Sequence, residues 1–226
     1  MKETDRAACE LILTIGKRMY AKNMVVSNDG NISCRVADGI WATPTGVCKG
    51  DMTLEMLVKV DGDGHILEGT HKPSSELKMH LRVYQENPDV QAVVHAHPPM
   101  ATSFAVAGIA LDTPILPEAI VNLGVVPVAP YAVPGTQAVP DSIAPYCRTH
   151  NAVLLANHGA LTWGKDLWQA YFRMESLEYY AQLTLNTTYL LKQARYLTEA
   201  EVQASLDTRA RLGITTGGVP RTSKDE

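Results

Sequence analysis

The sequence has little cysteine: Cys9, Cys34, Cys48 and Cys147 are four in 226 residues, widely spaced and without a C-x-x-C pair. That scarcity excludes a disulfide framework and a cysteine-rich zinc site, leaving the thiols as reduced packing residues. Positive charge is not in excess either. Twenty Lys and Arg against 24 Asp and Glu give a net charge of -4 and a pI near 6.0, which offers no electrostatic footprint for nucleic acid. No stretch is apolar for long enough to span a bilayer, and Met1-Lys2-Glu3-Thr4-Asp5-Arg6 is not a basic segment leading into an apolar run. Internal repeats and low-complexity blocks are also missing. What remains is an ordinary globular composition, 46% hydrophobic and 19% charged, in a chain long enough to bury a substantial core. The expectation is a soluble, cytoplasmic protein with neither a nucleic-acid nor a membrane partner.

Ala8, Leu11, Ile12, Ile15 and Met19 recur at helical spacing and predict an amphipathic helix over 5–22. Strands follow over 32–36 and 40–43 around Ala37-Asp38-Gly39, and over 57–60 and 65–67 around Asp61-Gly62-Asp63-Gly64, so the first third contributes antiparallel sheet. Next come a helix over 74–86 that stops before Pro88, a strand over 90–95, and a helix from Pro98-Pro99 to about Gly108. Residues 127–135 are proline-punctuated and extended, and 152–156 form an apolar strand. A long helix is expected over 166–195, its aromatic stripe (Trp168, Tyr171, Phe172, Tyr179, Tyr180) serving core or subunit interface, and Thr198 opens a last helix through Leu212. This pattern reads as one domain over 1–212 and a flexible tail over 213–226, which has almost nothing to bury.

Three of the seven histidines stand at strand ends. In Val93-Val94-His95-Ala96-His97-Pro98 the two imidazoles are two residues apart and so share a strand face. His158 closes the strand over 152–156, and Gly159 lets the chain turn away beside a bound ion. A lone H-x-H is weak evidence, because histidine is common at strand ends. A third histidine in the same setting points to a metal, and three imidazoles with a fourth position open suit catalytic rather than structural zinc.

Lys72-Pro73-Ser74-Ser75-Glu76-Leu77 puts two hydroxyls and a carboxylate where a helix begins, a setting that suits phosphate but is also ordinary capping. A capping box would put Glu three residues after Ser, whereas Glu76 is two after Ser74 and one after Ser75, which leaves its carboxylate free for another task. Ser27-Asn28-Asp29-Gly30-Asn31-Ile32-Ser33 and Thr43-Pro44-Thr45-Gly46 are further candidate anion cradles, each of which would alone be only a turn.

Taken in order, Gly30-Asn31-Ile32-Ser33, Thr43-Pro44-Thr45-Gly46, Pro73-Ser74-Ser75-Glu76, His95-Ala96-His97, Ala129-Pro130-Tyr131 and Asn157-His158-Gly159 resemble the class II aldolase/adducin family, most nearly its L-fuculose-phosphate aldolase branch. The resemblance implies an α/β fold with a mixed, largely antiparallel central sheet covered by helices on both faces, assembled as a homotetramer with sites at subunit interfaces. It implies a zinc-dependent aldolase, another divalent metal being able to serve, that reversibly cleaves a deoxy-ketose 1-phosphate such as L-fuculose 1-phosphate to dihydroxyacetone phosphate and an aldehyde. His95, His97 and His158 would be the metal ligands. Glu76 would be the catalytic acid/base and a ligand when substrate is absent, and Gly30, Asn31, Thr45, Gly46, Ser74 and Ser75 would hold the substrate phosphate. The chemistry agrees: breaking a carbon–carbon bond next to a carbonyl leaves an enediolate, whose charge needs a Schiff-base lysine or a Lewis acid.

One departure concerns the aldehyde side. Relatives in the fuculose branch carry a tyrosine, reaching in from a neighbouring subunit, where this chain reads Thr113-Pro114-Ile115-Leu116-Pro117-Glu118-Ala119-Ile120. Glu118, the nearest protic residue, is the candidate replacement, the alternative being a solvated glutamate that opens a helix after Pro117. Sibling activities on the same scaffold are cleavage of 5-deoxyribulose or methylthioribulose 1-phosphate and sugar-phosphate epimerisation, decarboxylation or dehydration. A non-catalytic module like the adducin heads is the alternative of a different class, and His95, His97, His158 and Glu76 together argue against it.

Overall fold

The computed structural model describes residues 1–221. Its strands are β1 (Asn31–Val36), β2 (Gly39–Ala42), β3 (Val58–Val60), β4 (Ile66–Glu68), β5 (Ala92–Ala96), β6 (Val128–Ala129), β7 (Ala152–Leu155) and β8 (Gly159–Gly164). The helices are α1 (Glu3–Ala21), α2 (Leu77–Glu86), α3 (Pro99–Ala107), α4 (Pro117–Asn122), α5 (Ala138–Ile143), α6 (Leu167–Thr184) and α7 (Glu199–Arg211). All strands join one sheet in the order β4-β3-β2-β1-β5-β8-β7-β6. Every pairing is antiparallel except β6 with β7.

Alternation along the strands builds two cores. Ala92, Val94 and Ala96 of β5 pack with Ile12, Ile15 and Met19 of α1 and with Tyr171, Met174 and Leu177 of α6. Val93, Leu161 and Trp163 face the other way and pack with Met79 and Val83 of α2 and Ile143 of α5. The sheet is thus mixed, mainly antiparallel and covered by helices on both faces, as the resemblance implied. His95 shares the parity of Val93 and so belongs to the α2 side. On that side Asn31, Ser33 and Arg35 of β1 meet Glu76, His80 and Tyr84, which recur every four residues. Asn31 Nδ2 donates to Glu76 Oε2 at 3.0 Å, Ser33 Oγ lies 2.7 Å from His80 Nδ1 and 2.8 Å from the Tyr84 hydroxyl, and Arg35 donates to the Tyr84 carbonyl at 2.7 Å.

Two expectations, both helix boundaries, need correction. The helix expected from Ser74 begins at Leu77, because Pro73 is pinned in an isolated bridge with Pro44 while Thr45 N donates to Lys72 O and Ser74 N to Thr43 O. The chain stays extended until those bonds are made. The helix expected to reach residue 195 ends as α-helix at Thr184 and continues as a π-helical turn over Leu185–Leu190. Thr184 and Thr187 hydroxyls there bond the carbonyls of Tyr180 and Leu183, a pattern that bends helices. The segment expected as a tail makes contacts through Arg221. Gly217 exchanges backbone bonds with Thr149 and Val125, Arg209 donates to the carbonyls of Thr216 and Gly218, and Arg221 N donates to Asp112 O. Residues 222–226 of that segment lie outside the described residues. Strand β8 was not foreseen. No helix among the described residues is long and apolar enough to cross a membrane.

Candidate functional site

His95 ends up fully buried beside β8, where its ring Nδ1 lies 2.9 Å from the Ala160 carbonyl. A carbonyl can only accept, so Nδ1 carries a proton, and Nε2 is the ring atom turned to the site. His97 lies just past the end of β5, its backbone N donating to Met24 O, and His158 follows Asn157, whose φ of 57° turns the chain out of β7. The three rings approach one another at centroid separations of 4.8 to 4.9 Å. One ligand nitrogen from each falls within 4.8 Å of the others, and His95 Nε2 and His97 Nε2 are 3.1 Å apart. Nitrogens around a tetrahedral ion at the usual bond length are about 3.3 Å apart, so this donor set fits a divalent metal. Gly159 makes room for it: a Cβ there would stand 2.5 Å from the Cδ2 of His97 and 2.6 Å from the Ala96 carbonyl.

Glu76 occupies the N-cap position of α2 but makes no side-chain cap bond. Its carboxylate instead reaches His158 Nε2 at 3.0 Å, His95 Nε2 at 3.4 Å and Asn31 Nδ2 at 3.0 Å. Burial alone would push this carboxyl up, but the facing His95 and His158 outweigh it and hold it far below the usual carboxylate range. Burial, together with the charges of His95 and His158, lowers His97 to about 4. Asn31 Oδ1 is buried without a partner, and Asn31 Nδ2 also donates to Ser74 Oγ at 3.1 Å.

A cavity of about 270 Å³ joins these groups. Gly30, Asn31, Thr45, Gly46, Ser74, Ser75, Glu76, His97 and His158 all line it, so three segments far apart in sequence share one wall. The Pro44–Pro73 bridge is what brings the second and third together. A larger cavity of about 400 Å³, lined by Arg35 and Tyr84 among others, lies at the far end of the β1–α2 seam and contains none of the three histidines.

Sequence reasoning missed two groups. Asp29 Oδ2 sits 3.4 Å from His97 Nδ1, the position of a carboxylate that orients a ligating imidazole. Its one signal was membership of the Ser27–Ser33 loop. Lys49 also lines the cavity, and no local pattern announced it. Glu118 is exposed in the first turn of α4 and is not among the residues lining this cavity.

The described geometry is that of a metal-dependent carbon–carbon lyase, and the chain belongs to the class II aldolase and adducin family: residues 10–185 match the profile of the Class II Aldolase and Adducin N-terminal domain. It is accordingly a class II metal-dependent lyase. Among its relatives, the 3-oxo-tetronate 4-phosphate decarboxylase of Haemophilus influenzae is 35% identical over 209 residues, covering 88% of this chain and 96% of the relative. The L-fuculose phosphate aldolase of Methanococcus maripaludis is 34% identical over 171 residues, covering 76% and 92%. Among solved structures, YgbL of Escherichia coli, described as a putative aldolase/epimerase/decarboxylase, superposes with a TM-score of 0.84 at 32% identity, covering 92% of this chain and 100% of that one.

Proposed function

We propose that this protein is a zinc-dependent decarboxylase of a 3-oxo-tetronate 4-phosphate, releasing carbon dioxide and dihydroxyacetone phosphate. The two activities named among its relatives converge chemically. In a 3-oxo-tetronate 4-phosphate the C1 carboxylate departs as carbon dioxide, the electron pair of the C1–C2 bond stays beside the C3 ketone, and one proton at C2 gives dihydroxyacetone phosphate. In L-fuculose 1-phosphate the C3–C4 bond breaks as the C4 hydroxyl loses its proton, an aldehyde departs, and the same phosphorylated enediol takes a proton at C3. Both reactions require an electron sink at the ketone, an anchor for the phosphate and a proton donor to carbon. Only aldehyde release requires a further base for the departing hydroxyl.

That difference carries the choice. Residues 113–120 contain no tyrosine, so the group that fuculose-branch relatives place on the aldehyde side has no like residue in this segment. Decarboxylation needs no such group. The wider coverage of the decarboxylase relatives, 88% of this chain against 76%, supports the same reading. In this reading Gly30, Asn31, Thr45, Gly46, Ser74 and Ser75 bind the phosphate through backbone and side-chain donors, and Glu76, ionised at rest, relays a proton from solvent to carbon. When bound by His95, His97 and His158, zinc supplies the Lewis acid for the electron pair at the ketone. The second reading is cleavage of a deoxy-ketose 1-phosphate, with Glu118 reaching a neighbouring subunit's site to serve the aldehyde oxygen. We extend the proposal to a cytoplasmic homotetramer with sites at subunit interfaces. Large apolar side chains left exposed on α6 and just beyond it, Phe172, Tyr179, Leu190 and Leu191, between 47% and 71% exposed, support such an assembly.

The test gives zinc-loaded protein each substrate and measures carbon dioxide, aldehyde and dihydroxyacetone phosphate. Carbon dioxide from the sugar acid, lost by about a hundredfold or more in Glu76→Gln, is expected. Aldehyde from L-fuculose 1-phosphate with no carbon dioxide from the sugar acid would turn the assignment to the second reading. Inertness toward both would sink it.

A further inference from the structure

Lys49 is 1% exposed, yet no carboxylate among the described residues is ion-paired with it. Its ammonium donates to the carbonyls of Asn28 at 2.9 Å and Val47 at 2.6 Å, which spends two of its three N–H groups. Those carbonyls belong to the two loops that flank the cavity. The Lys49 backbone is fixed from behind by α1, where a Cβ on Gly16 would stand 2.6 Å from the Lys49 carbonyl oxygen. Carbonyl dipoles satisfy hydrogen bonds but do not cancel a charge, and an ammonium without a counter-charge is among the most costly groups to bury. Burial accordingly pushes the Lys49 ammonium below the usual lysine range, with Cys48, Asp29 and Glu76 opposing it more weakly.

The cavity has a complementary deficit. Its hydroxyl, amide and backbone donors come from Asn31, Thr45, Gly46, Ser74 and Ser75, all neutral, and Asp29 and Glu76 contribute negative charge. A phosphate dianion entering there needs a cation beyond the metal. Among the lining residues Lys49 is the one lysine or arginine.

We propose that Lys49 is the counter-ion of the substrate phosphate, held in place by the Asn28 and Val47 carbonyls with its third N–H directed to the dianion. This rests on the reading of the cavity as a phosphate site. Lys49 then explains how a largely neutral cradle discriminates a phosphorylated substrate from its unphosphorylated counterpart. It also makes phosphate binding the event that completes a buried ion pair.

The experiment titrates inorganic phosphate into zinc-loaded wild type, Lys49→Met, Lys49→Gln and Lys49→Arg, alongside acetohydroxamate, an unphosphorylated ligand that addresses the metal. Thermal midpoint and zinc content are read on each variant. Lys49→Met and Lys49→Gln should weaken phosphate binding by about tenfold to a hundredfold, the range of a charge-assisted hydrogen bond. Acetohydroxamate binding should be unchanged, and Lys49→Arg should recover most of the phosphate affinity. Lys49→Gln keeps an N–H donor for the loop carbonyls, so it serves if Lys49→Met fails to fold. Unchanged phosphate binding in Lys49→Gln would overturn the assignment while the phosphate reading stood. Equal losses for phosphate and acetohydroxamate would also overturn it, reducing Lys49 to a tie between loops. Wild type that ignores phosphate while binding acetohydroxamate would overturn the phosphate reading and this proposal together.

Discussion

Lys49 and Lys59 are buried to nearly the same depth, 1% and 3% exposed, and the chain treats them in opposite ways. Lys59 donates to Asp5 at 2.9 Å and to Asp38, and Asp5 also accepts from the Trp41 indole at 2.9 Å. Its charge is cancelled inside the fold. Lys49 receives only backbone carbonyls. A buried cation matched by the chain's own carboxylates fastens α1 to the β1–β3 corner, whereas one left unmatched beside a cavity stays available to a ligand.

The comparison can be broken most forcefully at Lys59. Lys59→Met leaves the Asp5 carboxylate buried without its partner and should cost about 3 to 5 kcal/mol in urea unfolding, with the phosphate affinity of the folded protein unaltered. A loss below about 1 kcal/mol would show that water reaches this corner and that the two lysines differ less than their surroundings imply.

A smaller effect is expected from acid. Hydrogen bonds from Lys2 and Lys59 lower Asp38 to about 2, and those from Trp41 and Lys59 outweigh burial to lower Asp5 as well. A depressed carboxyl contributes stability that is complete above its unfolded pKa and is lost as pH falls through the folded value. The corner should therefore weaken between about pH 4 and pH 2. Thermal midpoints recorded across that window should fall less steeply in Asp38→Asn than in wild type, and parallel slopes would remove Asp38 from the account.

The smallest change should come from Lys49→Met measured as stability. It removes an uncompensated charge and two hydrogen bonds at once, so the two contributions oppose each other and the net should stay within about 1 kcal/mol. Unfolding in urea of the ligand-free variant checks this, and a cost as large as that of Lys59→Met would make both lysines structural.

These contrasts show what the sequence could reveal. The histidines, the paired serines and Glu76 were legible because strand ends and a proline-serine turn carry them in short local patterns. The first helix and the two leading hairpins were legible for the same reason, since period and turn chemistry are local signals. Strand β8 escaped because its run, Gly159 to Gly164, opens and closes on glycine and follows the Asn157 turn directly, so it reads as turn rather than strand. The end of α6 escaped because apolar residues continue past Thr184 and the hydroxyls that bend it are common in helices. Lys49 had no local signature at all. Its burial arises chiefly from Gly16 and Asn28, which meet it only in the folded chain.

The register of β5 has one more consequence. His95 pairs with Asn31 on one side and Leu161 on the other, so the central pairings fix which face each imidazole enters. A slip of one residue would send His95 into the layer of Val94 and Ala96, against α1 and α6, and bring an alanine or valine to the cavity. Misregistered chains could be compact and helical yet unable to collect an ion. Metal uptake would therefore report on strand alignment, and the stoichiometry of bound divalent metal in a preparation would count its correctly paired molecules.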